Sequence, residues 1–320
     1  MAAAAPVNVG IAVTSGDIYG NGDGPVSASG NGSPDTGSAD KLNGNTVNIN
    51  SGGSVTAYFL TCGGCADSSS GSAAVTNNAV NVNSGAGNVG NVFGGRGYNS
   101  AEVSNNHVTF DANYTGTVTN TVHGGISYYG EAHHNTVIIN NGTFHEYVYG
   151  GRGYNGASSA NNKVIITGGT FDGFYSYNHT GIFGNDRSPA SSYGDVIISG
   201  GTFSANTSIY GGYSSNNNTV TISNEHGLSF TNLVDLQGDT SGPAGNTLNL
   251  KTPLTISGTF ENFQTLNFYL PTTLATGGTL LTVTGSANIN GSAHPPRPRR
   301  RLQPDHARRH GQNHAPQRHK

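Results

Sequence analysis

The stretch "VYGGRGYNGASSANNKVIITGGTF", residues 148–171, is rewritten along the chain with its punctuation kept. Upstream stands "NVFGGRGYNSAEVSNNHVTF" (91–110), and downstream "SIYGGYSSNNNTVTIS" (208–223). Two elements alternate. One is an apolar pair followed by two glycines: "VFGGRG" (92–97), "VHGGIS" (122–127), "VYGGRG" (148–153) and "IYGGYS" (209–214), with "IFGNDR" (182–187) as a weaker copy and "DIYGNG" (17–22) as an early one. The other is an Asn-led run such as "NNHVTF" (105–110), "NTVIIN" (135–140) or "NTVTIS" (218–223), several of which close on a glycine turn with Thr-Phe.

Val47, Val80, Val108, Val137, Val164, Val196 and Val220 recur every 24 to 33 residues. A period in that range with variable loops marks a solenoid. Helices and leucine patterns needed by leucine-rich, ankyrin or tetratricopeptide arrays are absent from these units. The V-x-I alternation puts residues i and i+2 on one face of a strand. Stacking one such strand per coil in parallel gives the expected fold, an all-β, single-stranded parallel β-helix of about eight or nine coils.

Within that fold each repeated residue has an expected place. The valines point inward and stack on their own kind. Phe144, Phe171, Phe203 and Phe260 are expected to form an aromatic column at the next corner. The glycine pairs Gly94-Gly95, Gly150-Gly151 and Gly211-Gly212 are expected to supply positive φ at sharp turns. The Asn before each strand tolerates the left-handed region and can bond its counterpart in the next coil.

Composition agrees. Glycine supplies 49 of 320 residues, about twice the usual ~7%, and charged residues only 10% against a usual ~25%. Trp is missing and Met occurs once. Such a chain is poor in helix formers and rich in turn formers and β-branched residues. Residues 1–293 hold six Lys or Arg against sixteen Asp or Glu, and residues 294–320 hold eight against one. An acidic body argues against nucleic acid as a partner of the folded region. The basic tail, with Leu302 as its one large aliphatic, cannot bury enough surface to fold, and it reads as a disordered or out-of-frame end, or as a basic arm.

The expected organisation is a lead-in over 1–16, the repeat helix over 17–225, atypical closing coils over 226–292 and a disordered tail over 293–320. The polar spacer at 20–44 reads as a surface loop. No run of about 18 apolar residues exists to span a bilayer as a helix. "MAAAAPVNVG" has the small residues of a cleavage site without the rest of a signal peptide, so export from a longer precursor is the expectation.

Candidate chemistry is sparse. Cys62 and Cys65 flank Gly63-Gly64 where later coils carry aromatic-Gly-Gly-Arg, so a structural role is expected, with a disulfide if the chain is exported. Glu102 and Glu131 both fall six residues before their strand valines, and would stack on adjacent coils. That is the only hint of the paired carboxylates that a β-helix polysaccharide lyase or hydrolase uses. His123, His133, His134 and His145 follow no ligand spacing. His107 and Lys163 share one slot, which marks it as exposed. Arg96 with Tyr98, and Arg152 with Tyr154, recur at one corner and form a candidate ligand-contact edge; the plainer reading packs the tyrosines and leaves the arginines in water. Thr143, Thr170, Thr202 and Thr259 come nearest to the flat Thr array of an ice-binding solenoid. No cofactor or metal site is expected.

The units "VYGGRGYNGASSANNKVIITGGTF" and "IYGGYSSNNNTVTIS" resemble repeats in the passenger regions of autotransporter-type adhesins of Gram-negative bacteria, over roughly residues 10–292. "LNFYLPTTLATGGTLLTVTGSANING" (266–291) is similar to the stretch that ends such passengers. The barrel strands of that family do not follow residue 292. What the resemblance implies is export, display at the cell surface, and adhesion or contact with host or neighbouring cells, without cofactor; the leading expectation is a non-enzymatic, adhesin-like solenoid that meets glycans or proteins there. A carbohydrate-active enzyme on the same scaffold is the alternative.

Overall fold

The computed structural model describes residues 5–34, 39–67, 73–99, 101–173, 179–186, 191–240 and 245–289. The expected tail over 293–320 lies outside them, as do residues 1–4. The chain forms a parallel β-solenoid. One sheet collects 21 strands and a second collects six, and successive coils pair in parallel throughout both. Among the described residues no helix is long and apolar enough to cross a membrane.

The register is the one the valines announce. Val7, Val47, Val80, Val108, Val137, Val164, Val196, Val220, Leu248 and Leu266 form one continuous column of paired rungs. Two residues on, Val9, Ile49, Val82, Phe110, Ile139, Ile166, Ile198, Ile222 and Leu250 form a second, and from Val9 to Leu250 all are fully buried. Alternation makes this possible, because every second side chain of a strand faces the same way. Each such Val or Ile contributes roughly 1.5–3 kcal/mol by leaving water.

The corner before this face holds a ladder of asparagines, each fully buried: Asn78, Asn106, Asn135 and Asn162. Asn106 Nδ2 donates to Asn135 Oδ1 (2.9 Å) and to the Val75 carbonyl (3.0 Å). Its Oδ1 accepts from the backbone N–H (3.0 Å) and Nδ2 (2.9 Å) of Asn78. All four valences of the amide are used, which is what lets it sit in the interior. The residue before each rung of the ladder takes the left-handed region, at Asn77, Asn105, His134, Asn161 and Asn217.

The glycine pairs correct the expectation placed on them. Gly94-Gly95, Gly150-Gly151 and Gly211-Gly212 do not adopt positive φ. Gly94-Gly95 and Gly150-Gly151 lie inside strands, at Asn91–Gly97 and Val148–Gly153. In these two pairs the second glycine yields to the Asn ladder, a Cβ on Gly151 standing 2.1 Å from Asn162 Nδ2, and the first to the backbone of the next coil, a Cβ on Gly150 standing 2.5 Å from the Gly184 carbonyl oxygen. Positive φ falls on the glycine before Thr-Phe instead, at Gly142 (115°), Gly169 (94°) and Gly201 (105°), where L side chains are disfavoured.

The aromatic column also differs at one end. Phe144, Phe171 and Phe203 stack as expected, with centroids 5.0 and 4.5 Å apart, and the column continues to Phe230. Phe260 is not in it; it pairs with Leu236, on a different face. The reason is a shortening coil. Asn249 lies 28 residues beyond its partner Thr221, whereas Asn267 lies only 18 beyond Asn249. Thr259 leaves the threonine file with it and pairs with Ser286. The spacer at 20–44 is not all loop either: Ala39–Leu42 forms a short 3-10 turn that buries Leu42 against Val75 and Val103.

Candidate functional site

The face built from the glycine-pair strands carries the chemistry. In Val148–Gly153, Val148 points into the core, so Tyr149 points out, and after two glycines Arg152 points out again. Repetition turns these into columns. Tyr19, Cys62, Phe93, His123, Tyr149, Phe183 and Tyr210 occupy one. Cys65, Arg96, Ile126, Arg152 and Asp186 occupy the other. In the first, His123 stacks on Tyr149 (4.6 Å), Tyr149 on Phe183 (5.0 Å) and Phe183 on Tyr210 (4.8 Å).

Tyr149, Phe183 and Tyr210 floor a lateral groove of about 480 Å³, with Tyr147 and His179 on one side and Arg152, Asp186 and Tyr213 on the other. Gly181 makes the groove possible, since a Cβ there would meet the rings of Phe183 at 2.6 Å and Tyr147 at 2.7 Å. Arg152 Nε is 2.7 Å from Asp186 Oδ2, and the two side chains are 14% and 5% exposed. The guanidinium also lies over Tyr149 (4.7 Å) and Tyr154 (4.4 Å), a stacked geometry that suits a planar cation. Burial pushes the Tyr149 phenol well above its ordinary range and Tyr210 up to about 12, the latter also feeling Asp235. Burial, helped by the Arg152 charge, holds His123 well below the usual imidazole value.

The repeat of that corner at Arg96 is built differently. Its guanidinium donates to the Tyr98 hydroxyl and lies over Tyr98 (4.8 Å) and Tyr128 (5.7 Å). It borders a separate groove of about 280 Å³ with Tyr19 and Cys65. Tyr98, Tyr128 and Tyr154 form one stack, at 4.3 and 5.2 Å. The four residues read from the sequence therefore do share an edge, joined by Tyr128, and both arginines are part-buried within it rather than standing free in water. Tyr128 follows "VHGGIS" at the offset at which Tyr98 follows "VFGGRG", so the repeat itself carried the signal. Tyr147, Gly181 and Tyr213 had none, because they sit in slots that other coils fill with different residue types.

Cys62 and Cys65 are joined by a disulfide across Gly63-Gly64, in the aromatic and arginine slots of their coil. Glu102 and Glu131 do lie on adjacent coils, their backbone carbonyls accepting from the N–H groups of Val75 and Val103 on the preceding coils. Each immediately precedes a strand of the six-stranded sheet, outside the groove lining, and the Glu102 carboxylate is engaged by Ser104 Oγ (2.7 Å) and His133 Nε2 (3.1 Å). The four histidines scatter. His123 is buried in the ring column, His133 meets His134 (2.7 Å), and His145 pairs with Asp172 (2.6 Å). His107 is exposed, and Lys163 pairs with Asp195 at 3.1 Å. Among the described residues no group of three His, Cys, Asp or Glu converges as metal ligands would.

Fold and groove together define a parallel β-solenoid with an aromatic cleft along one flank. No family model matches the chain, no curated protein is detectably similar to it, and no solved structure matches it.

Proposed function

We propose that the chain is an exported, adhesin-like surface protein that works by contact and not by catalysis, meeting glycans or proteins of host or neighbouring cells. The observation that carries this reading is the flank itself: aromatic rings, phenols and an Arg–Asp pair gathered in an open groove on a rigid rod. Rings with a polar rim suit recognition. The carboxylate that lines the groove, Asp186, is already engaged by Arg152, whereas acid–base cleavage of a glycoside needs two carboxyl groups free to exchange protons. The Cys62–Cys65 disulfide suits an oxidising compartment, as export requires. The passenger-like repeats supply the expectation of display at the cell surface. No cofactor enters this reading.

The test is binding of the purified full chain to bacterial and animal cells, followed by flow cytometry, beside an assay for newly released reducing ends. Saturable binding without release is the expected result. Release of sugar ends would move the chain to the carbohydrate-active enzymes, and absence of binding to every cell type would remove the adhesive role.

A further inference from the structure

We propose that the groove between Tyr147 and Tyr213 is a binding site for a neutral, hydroxyl-rich oligosaccharide lying along the solenoid axis. The proposal deepens the contact reading above and rests on it for the ligand's origin at a cell surface.

Shape comes first. The floor and wall of the groove are drawn from successive coils, through Tyr149, Phe183, Tyr210 and Thr240. At ~4.8 Å between coils, four coils span about 14 Å. That length suits an extended chain better than a single ion or a compact metabolite. Tyr147 is the one ring of the set turned out of the stack, at 43° to Tyr149 and 60° to Phe183. Rings within the column spend their faces on each other, whereas among the described residues Tyr147 meets Tyr149, Phe183 and His179 only at a tilt and has no ring stacked on it. It can offer a face because Gly181 leaves the space beneath it. Opposite, Tyr213 is 43% exposed.

Chemistry narrows the class. A pyranose has an apolar face of C–H groups and a rim of hydroxyls. An aromatic face accepts the first, and the second needs donors and acceptors already held in place. The Arg152–Asp186 pair supplies both kinds at one spot and is fixed by the rings around it. Phenols and the hydroxyls of Thr121 and Thr240 extend that polar rim.

Charge narrows it again. Among the described residues that line the groove, the formal charges of Arg152 and Asp186 cancel, so these offer no net positive charge to a carboxylate or sulfate. The body around it is acidic, with sixteen Asp or Glu against six Lys or Arg over residues 1–293. A polyanionic glycan would approach against that field. A neutral one would not.

The experiment uses the full chain, titrated by calorimetry with neutral oligosaccharides of glucose, galactose, mannose and N-acetylhexosamines, and with oligogalacturonate and sulfated oligosaccharides as the anionic arm. Binding of at least one neutral series is expected. Tyr147→Ala and Tyr213→Ala should each weaken it by about tenfold, the size of one lost aromatic contact. Tyr193→Ala, an exposed tyrosine at the distant Asn corner, should leave it unchanged. On the unaltered chain, the bound oligosaccharide should shield Tyr213 from nitration. Binding confined to the anionic arm, no binding at all, or full-strength binding by both groove variants with Tyr213 still nitrated would overturn the proposal. Cell adhesion by a chain that binds none of the sugars would sink the groove alone. Sugar binding by a chain that adheres to no cell would sink the adhesive role alone.

Discussion

Gly95 lies against Asn106: a Cβ built on the glycine would stand 2.6 Å from the side-chain amide carbon of the asparagine. The same approach recurs at Gly64 with Asn78 (2.4 Å), Gly125 with Asn135 (2.5 Å) and Gly151 with Asn162 (2.1 Å). Two signatures that look independent in the sequence, a glycine pair and an Asn-led strand, are therefore one device. The amide ladder fills the interior, and the opposite strand gives up its side chains to admit it.

Gly95→Ala should therefore destabilise the chain by about 2 kcal/mol or more, the cost of overpacking a filled interior. Gly10→Ala, where a Cβ would meet nothing within 4 Å, should stay within about 0.5 kcal/mol of the parent. In an Asn106→Gly background the alanine at 95 should cost much less, because the clashing group is gone. Thermal and denaturant unfolding by circular dichroism measure all three. Equal effects of the alanines at 95 and 10 would show that close packing does not explain the glycine.

Asn106→Ala removes a partner from each of several buried groups at once. The Asn78 N–H, the Val75 carbonyl and Asn135 Oδ1 all lose a bond. Unsatisfied buried groups cost about 1–3 kcal/mol each, so a loss of about 3 kcal/mol or more is expected. Asn106→Asp should be comparably poor, since a carboxylate cannot donate to Val75 or Asn135. A loss below about 1 kcal/mol in the alanine variant would mean that water replaces the amide.

Much of this was legible from the chain. The valine period gives the register to the residue, from Val47 to Val220, because a buried column tolerates only aliphatics of similar size. The Cys62-Gly-Gly-Cys65 segment aligns with its coil because its glycine pair keeps the spacing of "VFGGRG" and "VYGGRG". Where the reading failed, one residue type had two uses. Glycine before Thr-Phe serves positive φ, while glycine in the pair serves close approach, and composition cannot separate them. Phe260 was misplaced because its "SGTF" copies the local motif while the coil length around it has changed. The groove was half visible: Arg152 and Tyr154 recur, but Tyr147, Gly181 and Asp186 are departures from the repeat, and a periodic reading discards departures.

Arg152 and Asp186 should be separable by substitution. Arg152→Ala removes the guanidinium paired with a 5%-exposed carboxylate, which should cost about 3 kcal/mol. Arg152→Lys keeps the charge but loses the planar stacking over Tyr149 and Tyr154, so an intermediate loss is expected. Adding Asp186→Asn to Arg152→Ala should recover part of the stability, as a buried negative charge is removed. If the double variant is no better than the single, the pair is not what holds this part of the flank.

His123 sets an acid limit on the fold. It is 1% exposed, packed edge-on by Phe93 and face-on by Tyr149, with Nε2 at 3.1 Å from Thr121 Oγ1. Burial and then the Arg152 charge depress its proton affinity in the folded chain. The unfolded chain protonates near the ordinary imidazole value of about 6.5, so below that pH it binds a proton that the folded chain does not. The stability associated with the neutral ring is thus complete above about pH 6.5 and falls as the pH drops, by up to ~1.4 kcal/mol per pH unit. His123→Phe keeps a ring in the column and removes the titration. Between pH 7.5 and pH 5 the parent should lose more stability than this variant. Parallel pH–stability curves for the two chains would show that the ring takes up its proton without leaving the column.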